Sequence, residues 1–263
     1  MSDQTRRELM IKLTGLQDLV CQLILQRDTE RYRVCRYYET EFQLSIGEFE
    51  YLALKWKYET LRRRKLYLMI SKTLPTGEAI FLPEYVSTMD ELFAKDRCQL
   101  KRREQTLQFA KEHAELWYEL SGEETAELSD LYCRIIPMVH PDFVSALDEY
   151  EEELFDTAIG AFSDGNLCLL EETAEEIEAL PEREFPEDDE ALKNELHRLL
   201  RKEDALQAEL RSLSREFPQD MRDTVDCPVR TMALQNQLRN EAMSWKQAAA
   251  QYDVEIGKLL GAE

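Results

Sequence analysis

Residues 121–163 read SGEETAELSDLYCRIIPMVHPDFVSALDEYEEELFDTAIGAFS. Two apolar runs stand in this stretch on either side of His140-Pro141-Asp142: Leu128, Leu131, Tyr132, Ile135 and Ile136 before it, and Leu154, Phe155, Ala158, Ala161 and Phe162 after it. Their spacings of three and four residues put each set on one face of a helix. Ser121-x-x-Glu124 and Ser145-x-x-Asp148 have the form of capping boxes, in which the serine side chain bonds a free N–H and the acid bonds back. The stretch therefore predicts a helix over 122–139, a loop over 140–146 and a helix over 147–163, with the tripeptide at the tip of a hairpin.

The rest of the chain carries the same period. Leu9, Leu13, Leu16, Val20 and Leu23 alternate steps of four and three, which predicts a helix over about 4–45. Gly47 predicts a break, Phe49–Ser71 a second helix, and Pro83 the first turn of a third that runs to about Leu120, since the missing proline N–H is one that a helix start leaves unpaired. Leu192, Leu196, Leu199, Leu206, Leu210 and Leu213 form another seam, with Glu203 at one seam position read as a solvated edge. Leu238, Ala242, Trp245, Ala249, Tyr252, Ile256 and Leu259 form the last. These two helices, joined by Phe217–Pro228, are expected to fold back as an antiparallel pair. All eight prolines fall in four pairs (75 and 83, 137 and 141, 181 and 186, 218 and 228), and only eight glycines occur. Few turns between long elements imply an all-α fold. Three regions follow: 1–118, a coiled-coil set of three helices; 119–180, a small helical module; and 181–263, the helical pair.

Charge is concentrated in the middle. Residues 112–180 hold 20 acidic groups against Arg134 alone, in a chain whose net charge is −21. Such a field repels nucleic acid and anionic membranes and attracts basic surfaces, so a basic protein is one expected partner. No apolar stretch reaches the length of a membrane span and the N-terminus has no apolar signal core, which predicts a cytoplasmic protein. Six cysteines without a Cys-x-x-Cys pair predict buried, reduced thiols. The three histidines lie in different segments, and no phosphate-binding glycine loop or Gly-x-Ser-x-Gly elbow appears. Neither an enzyme nor a bound cofactor or metal is expected.

At the tripeptide the sequence resembles the J domain of DnaJ-like co-chaperones. Leu128, Tyr132 and Ile135 stand twelve, eight and five residues before His140, where that family carries leucine, tyrosine and leucine, and Phe155, Ala158, Ala161 and Phe162 match the apolar pattern of its returning helix. Tyr118-Glu119 looks like the family's Tyr-Glu start. The likeness covers about residues 116–170, and the setting between helical arms is similar to a group of bacterial proteins with a degenerate J-like hairpin between coiled-coil segments. It implies that His140, Pro141 and Asp142 dock on an ATP-driven heat-shock chaperone and stimulate its hydrolysis. A rigid Pro141 would then present an imidazole and a carboxylate, the latter suited to a two-pronged arginine contact. The family's positive face before the tripeptide is reduced to Arg134, with Cys133, Pro137 and Met138 at other places of that face. Pro137 is also expected to kink the last helical turn, at roughly 3 kcal/mol. Two readings result: a non-catalytic helical scaffold or adaptor built around a degenerate J-like module, and a co-chaperone acting through the tripeptide. The arms allow a homodimer in either.

Overall fold

The computed structural model describes residues 3–77, 80–116, 118, 120–181, 188–215 and 221–261, and among these there is no strand. The helices are α1 (Asp3–Asp28), α2 (Cys35–Phe42), α3 (Glu48–Thr73), α4 (Leu82–Leu92), α5 (Ala94–Leu116), α6 (Gly122–Val139), α7 (Glu149–Asp164), α8 (Leu167–Glu178), α9 (Asp189–Leu213), α10 (Arg222–Val225) and α11 (Pro228–Leu260). The fold is all-α. Residues 3–73 are helical without interruption, α1, α2 and α3 being joined by π-helical turns at Thr29–Val34 and Gln43–Gly47. Gly47 therefore does not break the helix; its backbone is helical (φ −56°). What it provides is space, since a Cβ there would lie 2.6 Å from the Gln43 Oε1. The single helix expected from Pro83 to Leu120 is two, because Phe93 leaves helical geometry at φ −102° and ψ 18°.

The chain divides into two units, Met1–Tyr38 with Leu116–Asp220 and Glu39–Glu115 with Met221–Glu263. The three segments read from the sequence do not coincide with them. In the first unit α1 lies along α9, the two running parallel: Arg6 pairs with Asp189 at 2.9 Å near one end and Arg27 with Glu209 at 3.5 Å near the other. Leu13, Val20 and Ile24 are fully buried in one cluster with Leu192 and Leu199. The second unit is built on α3 and α11, also parallel, with Gln235 donating to the Ser45 carbonyl and Arg63 to Asp253, both at 2.7–2.8 Å. The expected antiparallel pairing of the last two helices is thus replaced by two parallel pairs. An apolar seam states that a helix has a partner but not which one, and three seams of one period leave the pairing open.

The hairpin forms within the first unit. Ser121 caps α6 with both halves of its capping box, at 3.2 and 2.8 Å. Helix α7 starts three residues after the Ser145 box would place it, because Asp148 and Glu151 make a box of their own, at 2.9 and 3.0 Å. Pro137 stands inside α6, which stays helical to Val139. Leu128, Tyr132 and Ile136 on α6 meet Ala158, Ala161 and Phe162 on α7, and the Tyr132 and Phe162 rings stack at 4.1 Å. α8 packs on both helices, burying Leu170, Ala174 and Ile177. Burying so much apolar side chain, at roughly 1.5–3 kcal/mol each, fixes α6 and α7 and hence the loop between them.

Charge divides with the units. The first carries 15 Lys or Arg against 35 Asp or Glu, a net −20; the second carries 18 against 19, a net −1.

Candidate functional site

Helix α6 ends where His140 turns to φ −77° and ψ 125°. Its N–H still donates to the Ile136 carbonyl at 3.1 Å, and its carbonyl accepts from the Phe143 and Val144 N–H groups at 2.9 and 2.8 Å. This tight turn carries the imidazole inward. His140 is 2% exposed and stands edge-on to the Phe155 ring at 4.8 Å.

The ring is held at both nitrogens. The Asp142 N–H donates to Nδ1 at 3.0 Å, so Nδ1 bears no proton and Nε2 carries it. Nε2 then donates to the Asp28 Oδ2 at 3.0 Å. With this tautomer the Arg27 Nη2, 3.3 Å from Nε2, is a second donor in contact with the ring and not a hydrogen-bond partner.

Asp28 is the centre of the arrangement. It is fully buried, and its Oδ2 also accepts from the Tyr132 hydroxyl at 2.9 Å, while its Oδ1 accepts from Arg27 Nε at 2.8 Å and Nη2 at 2.7 Å. A buried carboxylate needs this many donors to offset its desolvation. Arg27 in turn pairs through Nη1 with the Asp142 carboxylate, whose other oxygen accepts from Lys202 Nζ on α9 at 2.9 Å. Burial opposes ionisation of Asp142, but Arg27 and Lys202 outweigh it and hold its pKa down at about 2. Burial likewise works against the charge on Arg27, and Asp28 and Asp142 overcome it, raising its pKa above the usual range. Tyr132 is pushed well up by burial and by the neighbouring Asp28 charge, so its hydroxyl stays protonated as a donor. A further strut from α9 closes the loop: Arg198, paired with Glu195, donates to the Phe143 carbonyl at 2.7 Å.

The four residues expected to face a partner are thus differently placed. His140 is enclosed, Asp142 is part-buried and ion-paired, Pro141 is exposed, and Arg134 is an exposed residue bridging to Glu178 at 3.1 Å. The tripeptide does not present its ring and carboxylate freely, because α1 and α9 supply the partners within the chain. Asp28, Arg27, Lys202 and Arg198 escaped the sequence reading. One signal was present: the four-three seam of α1, continued from Leu23, lands on Arg27, a charge at a core position.

Around the site α7 and α8 expose Glu149, Glu152, Glu153, Asp156, Glu171 and Glu175, an acidic surface of the kind the composition implied. Among the described residues no three His, Cys, Asp or Glu side chains gather as a metal site. None of the six cysteines is in a disulfide; Cys21 is buried, but Cys98 and Cys168 are exposed, against the expectation of buried thiols. Burial, with Cys133 and Asp18 nearby, pushes the Cys21 thiol up to about 12. No described helix is long and apolar enough to cross a membrane. Comparison with family models, with curated proteins and with solved structures gives no match.

Proposed function

We propose that this chain is a non-catalytic helical scaffold whose J-like module is retained for its architecture, with the His-Pro-Asp loop acting as an internal fastener. One observation carries the reading. The imidazole of His140 and the carboxylate of Asp142, which the family resemblance would direct at a chaperone, are bonded to Asp28, Arg27 and Lys202 of the same chain. Arg27 fills the role that a partner's arginine would take, and a guanidinium with two carboxylates is a strong local pair. The functional surface is then the exposed acid of α7 and α8, suited to a basic protein.

The co-chaperone reading requires Arg27 and Lys202 to release Asp142 before anything else can bind it. A steady-state ATPase assay with a heat-shock chaperone of the DnaK type separates the two. The fastener predicts no stimulation by the wild-type chain and none by Asp142→Asn. Stimulation by the wild type that the variant lacks would establish the co-chaperone and overturn the scaffold.

A further inference from the structure

The inner seam of α11 is covered by α3, but its outer face carries a second seam. Val229, Ala233, Asn236, Asn240, Met243, Gln247, Ala250 and Val254 follow one another at steps of four and three, and all eight are exposed. Val229 is 76%, Met243 53% and Val254 57% exposed, so the apolar members are not shielded by their neighbours. None of the eight is charged, in a chain where one residue in three is. A solvated helix face in such a composition ordinarily carries Lys and Glu at these places.

The order of the seam is close to a palindrome. Turned end over end, it sets Val229 against Val254, Ala233 against Ala250, Asn236 against Gln247 and Asn240 against Met243, each pair twice. Side-chain amides both donate and accept, so an amide row is complementary to itself. Alternating steps of four and three are the spacing by which one helix meets another along a shallow supercoil. We propose that a second copy of this chain packs antiparallel on the outer face of α11, across a two-fold axis near residues Asn240 and Met243.

Charge selects this occupant. Two copies of a chain at net −21 repel, but the unit containing α11 is at net −1, so this is where copies can approach. The cations flanking the seam are held back on their own unit: Arg239 lies over the Phe49 ring at 5.3 Å, Lys246 over the Trp56 ring at 5.2 Å, and Arg230 pairs with Asp223 at 3.5 Å. A shallow depression lined by Ala250, Gln251, Val254 and Glu255 lies on the same face, where a side chain of the second helix can seat. Val229 to Val254 spans about 37 Å at 1.5 Å per residue. A strip of that length and one helix wide is at the low end for a specific interface, so the dimer is expected to be concentration-dependent and not obligate.

Sedimentation equilibrium of the full chain tests this. The mass should rise from 31.0 kDa toward twice that value as concentration increases. Met243→Glu, which places two carboxylates near the axis, should weaken the dimer at least tenfold and leave the melting temperature of the dilute, monomeric protein unchanged, because Met243 is exposed in the monomer. The variant V229E/V254K should dimerise more tightly than V254K alone, since the antiparallel order sets Glu against Lys at both ends. A chain that stays monomeric throughout, or a dimer indifferent to Met243→Glu, would overturn the proposal. A double variant weaker than V254K would overturn the antiparallel order.

Discussion

The two units solve the same problem, two long helices side by side, with different material. In the unit of α1 and α9 a continuous apolar cluster surrounds a knot of ions, Arg27, Asp28 and Asp142, with Tyr132 and His140 bonded into it. In the unit of α3 and α11 the helices meet over Ala53, Ala242 and Ala249, and apart from the buried Thr60 hydroxyl the polar ties, through Gln235 and Arg63, lie nearer the surface. Close approach on small residues needs little from side-chain chemistry, whereas a buried carboxylate is stable only while all of its donors are present. The first unit is therefore the one that a single substitution can damage most.

The sharpest way to break the contrast is Asp28→Ala. It leaves the buried Arg27 with only Asp142 and the more distant Glu209 and removes the acceptor of Tyr132 and His140, and unfolding in urea should show a loss of about 3–5 kcal/mol. A loss below 1 kcal/mol would mean that the ions are not the centre of this unit. Acid titration probes the same knot. Asp142 is held at about 2 against an ordinary 3.8, so its contribution is present above pH 3.8 and is lost as the pH falls toward 2. Comparing thermal melts of the wild type and Asp142→Asn over this range should show a gap of about 1–2 kcal/mol at pH 5 that closes by pH 2. Equal melts at pH 5 would detach Asp142 from its ions. The smallest effect belongs to the other unit. The Thr60 hydroxyl reaches the Trp56 and Trp245 carbonyls, both at 2.7 Å, and Thr60→Val should cost about 1 kcal/mol by calorimetry. A cost equal to that of Asp28→Ala would erase the distinction between the units.

What the sequence disclosed follows the range of the forces involved. The Ser121 cap and the 122–139 helix are local, set by residues within one turn, and both were legible. The start of α7 was misread because two capping boxes overlap in register, and the one whose acid precedes a continuous helical run, Asp148 with Glu151, prevails. Helix pairing is not local, and the seams on α9 and α11 named no partner. The environment of His140 was the least legible part. It depends on Asp28, 112 residues away in the chain, and on Lys202, 60 residues beyond Asp142. An imidazole beside a proline reads as a surface feature until the helix that covers it is known.

The division of charge gives the solvent ions an unequal part in the molecule. Around the net −20 of the first unit a cloud of small cations must gather, while the second, at net −1, needs almost none. At physiological ionic strength the cloud is about 8 Å thick, comparable to one helix diameter, and dilution swells it to about 30 Å. Self-repulsion within the acidic unit grows accordingly in dilute buffer, and the buried Arg27 and Asp28 then hold their place against a wider field. For this half of the protein, dissolved salt is a structural component.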